Sequence, residues 1–126
     1  MNAVLSEIKD LNKGISQFNE GNYCGAHEAW EDLWFNEKDA DEQNFLHGLI
    51  LAAGSFQHYI RRECKGANDL LLKSIPLLQA GLNAHPNLRL FDFIQALDSL
   101  RHEFSSCSFA VDTTSLPKIA RMYIYC

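Results

Sequence analysis

The stretch F-N-E-G-N-Y-C-G-A-H-E-A-W-E-D-L-W, Phe18 to Trp34, decides how this chain reads. Taken at about 100° per residue from Tyr23, residues Ala26, His27, Trp30 and Trp34 fall in one stripe roughly 100° wide, the mark of an amphipathic helix. The stripe turns the aromatics Tyr23, Trp30 and Trp34, and with them His27, toward a core. Glu31 follows His27 by one turn at the edge of the stripe, close enough to hydrogen-bond it or to share a ligand with it. Glu28 lies further round, toward solvent or a neighbouring helix.

On the N-terminal side, Val4, Leu5, Ile8, Leu11, Ile15 and Phe18 recur at helical spacing and predict a first helix over residues 3 to 19. Gly21 suits a left-handed stop and Asn22 a cap for the second helix. On the C-terminal side, Asp39 reads as the N-cap of a third helix over 40 to 64, with Glu42 as its capping-box partner. That helix is apolar almost all round and is expected at the centre, with Gly48 and Gly54 allowing close approach. A fourth helix carries Ala67 to Leu82 with Pro76 placed to kink or divide it. A turn at 84 to 87, a fifth helix over 88 to 106, a loop, and a short helix from Ser115 to Cys126 complete the pass. C-G-A-H-E-A-W at 24 to 30 echoes K-G-A-N-D-L-L at 65 to 71, as two related helical hairpins would. The expected fold is all-α, one domain over 1 to 126, with five or six helices around an antiparallel helical hairpin.

Between Glu28 and Glu42 seven carboxylates face the single Lys38, so that stretch carries −6 and the rest of the chain +1, for the net charge of −5. An acidic chain without a basic run releases few counterions from a phosphate backbone, which argues against nucleic acid. No apolar run approaches the roughly 18 residues of a membrane span. The four cysteines, Cys24, Cys64, Cys107 and Cys126, form no C-x-x-C pair and read as reduced thiols. The N-terminus M-N-A-V-L-S-E-I-K-D lacks a signal-peptide core, so the expectation is a cytoplasmic protein.

His27, Glu28 and Glu31 resemble the zinc sequence H-E-x-x-H with a carboxylate in place of the second histidine. His27 and Glu31 are then two ligands of a divalent metal, Glu28 a base or third ligand, and another helix must complete the set. His47 and His58 are the available donors, but roughly 16 Å of helix separates them, so only one joins. If helices two and three pair about Lys38, His27 lies level with Leu49. His47 is then the nearer donor, and His58 lies toward the Gly21 corner. The competing reading is structural: a core histidine satisfied by a carboxylate one turn away, among packed aromatics. Cys24 near a helix start with His27 three residues on is a further, thinner candidate for thiol chemistry. Trp30 and Trp34 could instead line a small-molecule pocket. Exposed Phe35 and the tail Tyr123 to Tyr125 suit a homo-oligomer or a partner-docking scaffold. These readings do not choose between enzyme and non-enzyme.

The residues resemble a known family. F-N-x-G-x-Y-x-x-A-H-E-x-W-E-x-x-W, then F-L-x-G-L-I-x-A-A, then a histidine before G-A-x-x-L-L, is similar to the domain of unknown function 309 family of small helical proteins. The matching positions run from Phe18 to beyond Ala67 and include Asn19, Gly21, His27, Glu31, Gly48, His58 and Gly66. The resemblance implies an all-α fold and brings no activity. His47 and Leu51 stand where the family commonly has glutamine, and Glu63-Cys64 where it has Gly-Asn.

Overall fold

Asn22 ends one helix and starts another, and the structure is built from such corners. The computed structural model describes residues 2–109 and 111–121, with the backbone alone for 2–8. Six α-helices follow in order: α1 (Asn2–Asn19), α2 (Tyr23–Asn36), α3 (Ala40–Ile60), α4 (Cys64–Ala80), α5 (Leu90–Ser99) and α6 (Arg101–Ser106), with a 3₁₀ turn at Thr113–Ser115. The links between the first four are too short for anything but antiparallel neighbours, and α1 packs on α2, α2 on α3 and α3 on α4. Helices α5 and α6 lie against α4. The all-α reading holds, and no strand forms among the described residues beyond one isolated bridge between Leu88 and Arg121.

Two of the corners are the same device. At the end of α1, Asn22 N–H donates to Gln17 O and Gly21 N–H to Phe18 O, with Gly21 at φ 87°. At the end of α3, Glu63 N–H donates to His58 O and Arg62 N–H to Tyr59 O, with Arg62 at φ 62°. Both are Schellman stops, in which a left-handed residue turns the chain and satisfies the last carbonyls. Each is followed by a helix whose third residue is glycine, Gly25 or Gly66. A Cβ on Gly25 would meet Gln17 Nε2 at 2.9 Å, and one on Gly66 would meet His58 Nδ1 at 2.8 Å. The echo between 24–30 and 65–71 is therefore a repeated corner, in which glycine makes room for the side chain that ends the preceding helix.

The core is aromatic where α1, α2, α3 and α5 meet. Phe18 touches Tyr23, Trp30, Phe56 and Phe93 with ring centroids 5.1 to 5.8 Å apart, and all five rings are buried. Edge-on and tilted contacts of this kind add to the burial term itself. Helix α3 is central, as its all-round apolarity requires, with Phe45, Leu46, Leu49, Ala52, Ala53 and Phe56 buried.

Several expectations are corrected. α3 stops at Ile60 and not Cys64, because Arg62 takes the left-handed turn. α4 runs undivided through Pro76, whose ring lies on the exposed side, where Leu72, four residues earlier, is also exposed. The helix expected over 88 to 106 breaks at Leu100, just after Ser99 Oγ donates to Gln95 O in its own helix, a bond that bends helices. Asp39 caps α3, accepting from Glu42 N–H at 3.0 Å, but the Glu42 carboxylate does not return to Asp39. It pairs with His85 Nε2 at 2.7 Å and holds the 84–87 turn against the start of α3. No helix starts at Ser115 among the described residues, since Leu116 continues in extended conformation. The tail Tyr123 to Cys126 lies outside the described residues.

The cysteines are corrected too. Cys64, at the start of α4, and Cys107, just past α6, form a disulfide with their Cα atoms 5.7 Å apart. Cys24 is free and exposed. No helix is long and apolar enough to cross a membrane among the described residues.

Candidate functional site

Where α2 begins and α3 ends, the two helices leave a cavity of about 250 Å³. Helix α2 contributes Tyr23, Cys24, His27 and Glu28, and α3 contributes Ala53, Gly54, Gln57, His58 and the capping residue Arg61. Its position follows from packing. Tyr23, Ala26 and Trp30 fix the inward face of α2 at no more than 4% exposure, and His27 stands one residue off that face. His27 is therefore not in the core: its side chain is 41% exposed, at the rim of the cavity.

Each imidazole has a carboxylate beside it. His27 Nδ1 lies 3.3 Å from Glu31 Oε2, and His58 Nδ1 lies 2.9 Å from Glu63 Oε2. An ionised carboxylate only accepts, so in the His58–Glu63 hydrogen bond Nδ1 is the donor, while His27 lies beside Glu31 one helical turn on. His58 is further fixed by Gly66, against which its ring packs. Tyr23 is 4% exposed, but its hydroxyl oxygen stays in reach of solvent and makes no hydrogen bond among the described residues. Burial raises its pKa, which keeps the hydroxyl protonated. Neither Glu28 nor Arg61 has an ion pair among the described residues, and none joins the two.

The remaining candidates go elsewhere. His47 does not line the cavity but lies against Trp34, with ring centroids 5.1 Å apart. An antiparallel pair about Lys38 puts His27 level with Leu49 and so nearer His47, but the cavity opens at the far end of the hairpin, where His58 sits. Trp30 is fully buried, and its Nε1 donates to Leu11 O at 3.2 Å. It is a core residue, not a pocket wall. Glu31 acts through His27. Among the described residues no three His, Cys, Asp or Glu side chains converge as a metal ion would need, so His27 and Glu31 stand as a pair. Gln57 and Arg61 were missed. Their signal was Gly54, Gln57, His58 and Arg61 at helical spacing, a polar or small stripe on an otherwise apolar helix.

Fold and cavity together define a small all-helical protein with a polar cavity between the arms of its central hairpin. Residues 11–70, from the second half of α1 to the first turns of α4, match the family model Domain of unknown function (DUF309). The family that the motif resembles is thus the one found over that stretch, and the stretch holds every residue that lines the cavity. No curated protein matches the chain.

Proposed function

We propose that this chain binds a small polar ligand in the cavity between α2 and α3. The observation that carries the reading is the composition of that cavity: a phenol, two imidazoles each with a carboxylate beside it, an amide and two opposite charges without an ion pair among the described residues. Ligand sites are concave, with a few convergent polar groups, and drug-sized ones begin at about 300 Å³. A cavity of about 250 Å³ suits something smaller. The motif residues Tyr23, His27 and Glu28 find their use here, and Glu31 and Gly66 serve by holding the two histidines. A divalent metal on His27 and Glu31 finds no third protein donor among the described residues and is the weaker form of the same reading.

The test uses the purified full chain and an equimolar mixture of amino acids, hydroxy acids, sugar phosphates and nucleosides. After removal of unbound material, the protein is denatured and the released masses are identified, with elemental analysis of the same sample. The expected result is retention of one class of molecule by the native chain and its loss in folded His27→Ala and His58→Ala variants. Retention of nothing, with both variants merely less stable, would overturn the reading. It would favour the second one, a scaffold acting through association, which rests on Phe35, 81% exposed beyond the hairpin's core.

A further inference from the structure

We infer that the ligand of this cavity is a zwitterion of the α-amino acid type, its carboxylate held by Arg61 and its ammonium by Glu28. The inference rests on the ligand-binding reading above and adds the chemical class.

Charge balance comes first. Glu28 enters from α2 and Arg61 from the end of α3, and both line one cavity without pairing to each other or to another described residue. A plain anion would meet Arg61 but also the repulsion of Glu28, and a plain cation the reverse. A neutral molecule that carries both charges satisfies the two sides together. An exposed charge alone is ordinary surface. Two opposite charges on facing elements of one cavity, neither with an ion pair among the described residues, form a dipolar site.

The polar groups between them agree. With its Nδ1 bonded to Glu63, the neutral His58 ring offers Nε2 as an acceptor for an N–H donor, and His27 adds a second imidazole at the rim. Tyr23 supplies a hydroxyl, and Gln57 supplies both a donor and an acceptor. The guanidinium of Arg61 matches a carboxylate in a two-pronged geometry that a lysine could not reproduce. Ala53 and Gly54 complete the lining on the α3 side.

The experiment is saturation-transfer NMR on the full chain with each of the common α-amino acids in turn, then with propionate and ethylamine as the two half-ligands of alanine. At least one amino acid is expected to bind. For it, the half-ligands should bind tenfold or more weakly, and Arg61→Gln and Glu28→Gln should each lose tenfold or more while circular dichroism shows them folded. Equal binding of propionate or of ethylamine would overturn the zwitterion and leave the cavity a site for a simple ion. If no amino acid binds while another class is retained from the mixture, the zwitterion also falls and the ligand reading stands. If nothing in the mixture is retained, both fall.

Discussion

Asn19 holds the backbone of Ile119 with both ends of its amide: Nδ2 donates to Ile119 O at 2.9 Å, and Oδ1 accepts from Ile119 N–H at 2.8 Å. A motif asparagine at the end of α1 is thereby the clamp for an extended segment a hundred residues further on. Ile119 and Leu116 are buried beneath that segment's path. Asn19→Ala should destabilise the chain by about 1 to 3 kcal/mol, the range for two hydrogen bonds that share one side chain. Urea unfolding checks the size, and limited proteolysis should show earlier cleavage near Leu116 to Arg121. An unchanged proteolytic pattern would mean that the clamp contributes nothing.

Gly14 is required by Trp30. A Cβ at this position would collide with the indole of Trp30, whose Nε1 is bonded to Leu11 O. Replacing a helical glycine with alanine ordinarily stabilises by about 0.5 to 1 kcal/mol. Here Gly14→Ala should do the opposite, by about 1 to 3 kcal/mol, because the close packing of α1 on α2 must open. Thermal unfolding with tryptophan emission distinguishes the two, and a raised melting temperature would refute the account.

The Cys64–Cys107 disulfide closes a separation of 43 residues and ties the start of α4 to the end of α6. Chain entropy alone makes such a cross-link worth about 4 kcal/mol. Unfolding the oxidised chain with and without dithiothreitol should show a loss of that order, matched by Cys107→Ser without reductant. Because Glu63, the partner of His58, precedes Cys64, the ring signals of His58 should also shift on reduction.

Alkaline pH should loosen the α3–α6 contact. Tyr59 stacks on Phe104 with centroids 4.4 Å apart, and its hydroxyl donates to Glu103 at 3.2 Å. Burial, and then that bond to a carboxylate, raise its pKa above the ordinary value near 10. The folded chain thus retains a proton that the unfolded chain releases. The stability this gives is complete below about pH 10 and is lost as pH rises through the higher folded value. Tyrosinate absorbance should show Tyr59 among the last to ionise, and Tyr59→Phe should remove that late step. Loss of stability should then begin at higher pH in the variant.

The helices were legible in the sequence because local chemistry makes them. The periodicity of Leu11, Ile15 and Phe18, the caps Asn22 and Asp39, and the stop at Gly21 each act within a few residues. So was the pairing of His27 with Glu31, which one helical turn fixes. What lies between elements was not. The His27 stripe gave its direction only to within one residue, and one residue is the difference between core and rim. His58, and not His47, shares the cavity because the hairpin opens at its far end, which depends on how α1 and α4 flank it. Glu42 left its own cap for His85, Cys64 found Cys107, and Asn19 found Ile119, all through contacts more than forty positions apart. Spacing along a chain carries angular information within one helix and none between helices. The tertiary packing alone therefore decided which polar groups meet.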